Sequence, residues 1–182
     1  MLFKPTKHPD VIRVEPYIYQ DNRGFFMESY QKENYFQAGI SYEFVQDNHS
    51  SSVKGALRGL HYQITHAQGK LVWVVIGEIF DVAVDLRRGS LHFGKWVGAV
   101  LSAKNKEQLW IPPGFAHGFY TLSSRADVIY KTTDYYDPKG DRCIRWDDPD
   151  LAIEWPLSKG EQPLLSEKDA AGCYFKKAEV YA

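Results

Sequence analysis

Leu71-Val72-Trp73-Val74-Val75-Ile76 and Ile79-Phe80-Asp81-Val82-Ala83-Val84-Asp85-Leu86, separated by Gly77-Glu78, decide the fold class. Both runs are rich in β-branched residues and too short for ordinary helices, and a two-residue link containing glycine reads as the turn of a β-hairpin. Near-continuous apolarity means that both faces are covered, by a second sheet or by a partner subunit. Similar short runs lie on either side. Ile12–Tyr19 alternates at period two but contains Pro16, which marks an edge or bulged strand. Asp21-Asn22-Arg23-Gly24 is then a turn and Phe25–Tyr30 the returning strand. Gln31–Ala38, stopped by Gly39, predicts a short helix. Glu43–His49, Phe93–Ser102, Gln108–Ile111 and Ala126–Tyr136 read as further strands, with Ser50–Lys54 a polar stretch after the first of them. Ser166, followed by Glu167 and Asp169, predicts a short capped terminal helix. Nine or ten short strands with almost no helix and no alternation of strand and helix imply an all-β sandwich or barrel, with a jelly roll the natural candidate. No repeat or linker divides residues 1–182, which read as a single domain.

Composition narrows the function classes. The formal net charge is −1 with a pI near 6.6, and no Lys/Arg cluster supplies a footprint for nucleic acid or an anionic membrane. The N-terminal ten residues lack the apolar core of a signal peptide and no apolar run is long enough to span a bilayer, so the cytoplasm is the expected location. Cys143 and Cys173 have neither CxxC nor histidine spacing, which predicts no disulfide framework and no zinc site. Aromatic residues make up 15% of the chain, with 12 tyrosines. Sheets favour such residues, and so do sites that stack a sugar or a base.

Chemistry concentrates in Ala56-Leu57-Arg58-Gly59-Leu60-His61-Tyr62-Gln63. Arg58 and His61 are three apart, so they share a face of a strand only if a bulge or twist intervenes at Gly59. On these residues alone, a core histidine beside a surface arginine explains the stretch better than a site does. Pro113-Gly114-Phe115-Ala116-His117 resembles the second short motif of cupins, whose histidine often ligates a metal. The partner motif is incomplete here, because Gln63 stands where a second histidine belongs and no glutamate follows between Ala67 and Trp73. Two histidines fall short of the three protein ligands that a catalytic divalent ion normally takes.

The chain resembles the dTDP-4-dehydrorhamnose 3,5-epimerase family through motifs that run in order from about Pro16 to Phe175. They are Asp21-Asn22-Arg23-Gly24-Phe25-Phe26-Met27-Glu28, Phe44-Val45-Gln46-Asp47-Asn48-His49-Ser50, Leu57–Gln63, Gln68-Gly69-Lys70-Leu71-Val72, Phe80–Arg87, Leu109-Trp110-Ile111-Pro112, Gly114–Phe119, Tyr130-Lys131-Thr132-Thr133 and Leu165–Ala170. The resemblance implies a cupin-type jelly roll that works without cofactor or metal on a dTDP-4-keto-6-deoxy sugar. It implies His61 as base, Asp169 as the carboxylate orienting it, Tyr130 as proton donor and Lys70 as the cation near the carbonyl oxygen. Arg23, Arg58, His117 and Lys168 match positions that contact the nucleotide-sugar, and Glu28, Gln46, Asp47 and Asn48 match those around the thymidine. Phe26 and Tyr136 match aromatic positions along the ligand, whereas Asp141 stands where close relatives carry glutamate. A homodimer is implied as well, with Arg23 and Phe26 reaching the neighbour's site. A mono-epimerase at C3 or C5, a 3,4-ketoisomerase, a non-catalytic sugar-binding cupin and a metal-dependent cupin oxygenase are the competing readings.

Overall fold

The structure is a computed structural model and describes all 182 residues, Met1–Ala182. The strands are β1 (Leu2–Pro5), β2 (Ile12–Glu15), β3 (Ile18–Asp21), β4 (Gly24–Met27), β5 (Gln46–Val53), β6 (Leu57–Gln63), β7 (Lys70–Ile76), β8 (Glu78–Asp85), β9 (Trp96–Ser102), β10 (Gln108–Ile111), β11 (Phe115–Thr121), β12 (Arg125–Thr132) and β13 (Asp141–Cys143). Helix α1 spans Lys32–Gln37 and α2 spans Glu167–Ala170. One sheet has the order β1-β2-β10-β7-β12-β5, the other β13-β6-β11-β8-β9, and β3 pairs only with β4. The two large sheets pack face to face as a jelly roll of the cupin kind, with every strand pairing antiparallel. No helix is long and apolar enough to cross a membrane.

The central pair of runs is not a hairpin. β7 pairs with β10 and β12, while β8 pairs with β11 and β9, so the chain passes from one sheet to the other at Gly77. Gly77 has φ +77°, and a Cβ there would lie 1.9 Å from the Arg125 carbonyl oxygen. Only glycine turns that corner. The expectation of cover on both faces holds, by a different route. Between the sheets pack Val72, Val74, Ile79, Ala83, Phe115, Phe119 and Val128. Outside the second sheet, Val82, Val84 and Leu86 lie with Leu60 and Ile144 under Leu151 and Trp155, and outside the first, Leu71 and Trp73 lie under Tyr35 and Ile40. Each Val, Leu, Ile or Phe among them contributes about 1.5–3 kcal/mol when fully buried.

Other boundaries shift for local reasons. Ile12–Tyr19 is split around Pro16 into β2 and β3, which belong to different sheets. The returning strand ends at Met27, the strand from Phe93 begins at Trp96, and β12 stops at Thr132. Serines 50–52 continue β5, which pairs with β12 along its whole length. β1 and β13, at three or four residues each, are too short to show a period. Thirteen strands therefore stand where nine or ten were expected. Helix α1 is capped by the Gln31 side chain and α2 by Ser166, as the sequence predicts for α2.

Period-two alternation divides the space between the sheets. The apolar part of β7 (Val72, Val74) continues into Lys70, that of β12 (Ala126, Val128) into Tyr130, and Phe115 and Phe119 of β11 flank His117. One region of the interior is a hydrocarbon core and the adjoining region is polar.

Candidate active site

That polar region opens as a cavity of about 230 Å³. Its walls are Gln46, Asn48 and Ser50 of β5, Arg58, His61 and Gln63 of β6, Lys70 of β7, His117 and Phe119 of β11, and Tyr130 of β12, with Tyr136, Asp141 and Lys168 at its margin. A larger groove, about 760 Å³, lies between the N-terminal strand, the β3–β4 hairpin and α1, but no imidazole lines it.

Arg58 and His61 share the cavity because β6 bulges. His61 pairs with His117 and Arg58 with Phe119, so three steps along β6 match two along β11. Gly59 sits in the bulge with φ +127°, and a Cβ on it would lie 2.5 Å from Gly118 Cα. Two glycines thus let the strands touch backbone to backbone, which is the geometry the three-residue spacing demands.

His61 Nε2 lies 2.5 Å from Asp169 Oδ1, and the other Asp169 oxygen accepts from Ser166 Oγ at 2.7 Å. Burial pushes the Asp169 carboxyl up, but the hydrogen bonds from His61 and Ser166 outweigh it, and the group stays below its ordinary range. An ionised carboxylate on Nε2 holds the imidazole proton there and leaves the Nδ1 lone pair as the basic site. Lys70 is buried and donates to the His61 carbonyl at 3.3 Å. Burial pulls its ammonium down to about 8, against the opposing charges of Asp141 and Asp81. Tyr130, on the opposing sheet, has its phenol pushed up by burial, so it stays protonated.

A second imidazole–carboxylate pair sits beside the first. His117 Nε2 lies 2.8 Å from Asp81 Oδ2, both groups are buried, and Asp81 Oδ1 has no partner. Arg58 donates from Nε to Ser52 Oγ at 2.9 Å. At the margin Asp141 accepts from Lys168 and from the Tyr136 hydroxyl, so the shorter carboxylate is held in place by both. Gln46 donates to Asn48 and accepts from the Tyr136 N–H. The site does not fit the cupin metal, since its second histidine, His117, commits Nε2 to Asp81 and Gln63, standing where another histidine belongs, donates instead to the carbonyls of His66 and Tyr135.

Four expected site residues lie elsewhere. Asp47 points outward from β5 to Lys131 at 2.9 Å, because its neighbours Gln46 and Asn48 take the inward positions. Arg23 lies at the β3–β4 turn, bonded to Asp21, Phe26 is 69% exposed on β4, and Glu28 accepts from Asn34. Sequence reasoning missed Ser50, Asp81 and Phe119. Ser50 continues the period-two series of Gln46 and Asn48, and its hydroxyl oxygen is buried without a partner. Asp81 is an acid inside an apolar run, which is itself a signal.

The family model described as dTDP-4-dehydrorhamnose 3,5-epimerase matches residues 5–177. The chain belongs to the dTDP-4-dehydrorhamnose 3,5-epimerase family. A Pseudomonas aeruginosa protein of that name is 59% identical over 174 residues, covering 95% of each chain. The crystal structure of the epimerase RmlC from Legionella pneumophila in complex with dTDP-4-keto-L-rhamnose superposes with a TM-score of 0.94 at 55% identity, over 98% of this chain and 94% of that one. ChmJ from Streptomyces bikiniensis, a 3'-monoepimerase solved in complex with dTDP-quinovose, is 31% identical with a TM-score of 0.87, over 94% of this chain and 87% of that one.

Proposed function

We propose that this chain converts dTDP-4-dehydro-6-deoxy-D-glucose into dTDP-4-dehydro-L-rhamnose by proton exchange at C3 and C5, for dTDP-L-rhamnose synthesis. The observation that carries the reading is His61 on one sheet, backed by Asp169 of α2, with Lys70 and Tyr130 on the other sheet, the three around one cavity. Both carbons lie next to the C4 carbonyl, so their C–H bonds are acidic. His61 Nδ1 takes the proton, and the negative charge moves onto the C4 oxygen as an enolate. Lys70, cationic and desolvated, stabilises that oxygen far better than a hydrated cation does. Tyr130 returns a proton from the other face, inverting the centre. Once His61 gives its proton to solvent and the Tyr130 phenolate takes one from solvent, repetition at the second carbon completes the reaction. Arg58, His117 and Lys168 hold the sugar and diphosphate, guanidinium and ammonium donors suiting phosphate oxygens. Gln46 and Asn48 meet the thymidine and Tyr136 stacks on the base or sugar. Asp141 fixes Lys168 and Tyr136.

The second reading is a mono-epimerase, favoured by the similarity to ChmJ. Incubation with the 4-keto sugar nucleotide in D2O distinguishes the two by NMR. Deuterium at both C3 and C5 is expected; at one carbon it establishes the mono-epimerase, and at neither it rejects proton exchange altogether.

Arg23, Phe26, Glu28 and Asp47 are outside the cavity, and their place in this reading is a homodimer. The β3–β4 hairpin exposes Tyr17, Ile18, Tyr19, Phe25 and Phe26 together, an apolar surface that a second copy would cover. Arg23 and Phe26 then reach the partner's nucleotide. Sedimentation at micromolar concentration should give twice the chain mass, and a monomer mass rejects the arrangement. The cytoplasm suits such an enzyme, whose two cysteines are free thiols.

A further inference from the structure

Cys143 stands directly across from His61 in the β13–β6 pairing, so both side chains project from the same face of the sheet. Its Sγ lies 3.9 Å from Asp169 Oδ1, the oxygen that also meets His61 Nε2 at 2.5 Å. The three donor atoms all fall within 4.8 Å of one another. This thiol has no part in the proton transfers described above. Burial pushes it up to about 12, so it rests as an inert thiol.

We infer that His61, Cys143 and Asp169 form an inhibitory site for Zn²⁺ and similar thiophilic divalent ions. Nitrogen, sulfur and carboxylate oxygen are the donors such ions select, and three protein ligands leave a fourth tetrahedral position for water. With bonds of about 2.0–2.1 Å to nitrogen, 2.0–2.2 Å to oxygen and 2.3 Å to sulfur, ligand atoms in a tetrahedral site stand roughly 3.3–3.6 Å apart. Nε2 and Oδ1 must therefore separate from 2.5 Å, and Sγ must approach from 3.9 Å. Both adjustments are below about 1 Å, within the reach of side-chain rotation. The thiol proton leaves to solvent as the sulfur–metal bond forms. The imidazole proton moves from Nε2 to Nδ1 as Nε2 is metallated, so the lone pair that serves as base is consumed. Inhibition thus acts through the tautomer of His61 and needs no blockage of the cavity. The inference rests on His61 as the base, but occupancy of the site can be read without turnover.

The test uses the full-length protein, as wild type and as Cys143→Ser, Cys143→Ala and Cys173→Ser. Cys173 is exposed and serves as the control thiol. Titration with ZnCl2 is expected to lower wild-type epimerisation about tenfold or more near one ion per chain, with recovery on adding EDTA. Both Cys143 variants should keep their metal-free activity and need roughly 100-fold more zinc, because even partners outside the ligand set change metal affinity 10–100-fold. CoCl2 should give a sulfur-to-cobalt charge-transfer band in wild type and Cys173→Ser that is lost without Cys143. Equal zinc sensitivity of wild type and both Cys143 variants overturns the inference, as does a wild-type cobalt spectrum lacking the thiolate band. A cobalt band without inhibition would retain the metal site but reject His61 Nδ1 as the base.

Discussion

Replacing His61 with alanine should lower kcat by about 10²- to 10⁴-fold with a much smaller change in KM, as expected for loss of a general base. His61 is only partly buried, and the hole left by its ring opens onto the cavity and not into the hydrocarbon core, so the variant should fold. Two controls make the result specific to proton abstraction. Wash-in of deuterium at C3 and C5 should fall in parallel with turnover, since both carbons use the same imidazole. Asp169→Asn should keep the ring in place yet lose most of the rate, because an amide on Nε2 no longer secures the proton there. Retention of near-normal turnover by His61→Ala removes His61 from the role.

The reasons for these expectations were unevenly legible in the sequence. The bulge at Gly59 could be demanded in advance, because a three-residue spacing between Arg58 and His61 has one simple solution on a strand, and the pairing with His117 and Phe119 supplies it. The crossing at Gly77 could not. A glycine-containing link between two apolar runs satisfies local rules for a hairpin, and only the strands that pair with each run decide otherwise. Ser50–Ser52 misled for a related reason, since the inward side chains of that strand line a cavity and are polar there. Lys70 follows the same logic, a lysine at the end of an apolar strand that is buried because its inward position lies in the polar cavity. His61 and Cys143 show what spacing conceals, as cross-strand pairing brings together donors that no short motif contains. The proposal of His61 as a base comes from ordered motifs, whereas its partnership with Asp169 becomes geometry only in the fold.

Lys70 yields the second large effect, and one with opposite signs for activity and stability. Burial lowers its ammonium to about 8, although Asp141 and Asp81 resist the shift. As pH rises through about 8 the charge facing the developing enolate is lost, so kcat should fall on an alkaline limb centred there. Lys70→Met should lower kcat by about 10²- to 10³-fold, the usual effect of removing one electrostatic stabiliser, and should abolish that limb. Stability runs the other way. The folded pKa lies below the unfolded value of 10.5, so at pH below about 8 both states carry the proton and the native state bears the full penalty of a buried cation. Between about 8 and 10.5 the unfolded chain holds a proton that the native one has released, and the lysine's contribution becomes less unfavourable as pH rises. The shift corresponds to on the order of 3 kcal/mol. Methionine, of similar length and uncharged, should therefore raise Tm at pH 7 while disabling catalysis. Thermal unfolding and kcat measured from pH 6 to pH 10 on both proteins check the pair of signs together. A Lys70→Met protein that is less stable than wild type at pH 7 contradicts the buried-cation account, and one that keeps the alkaline limb assigns that limb to another group.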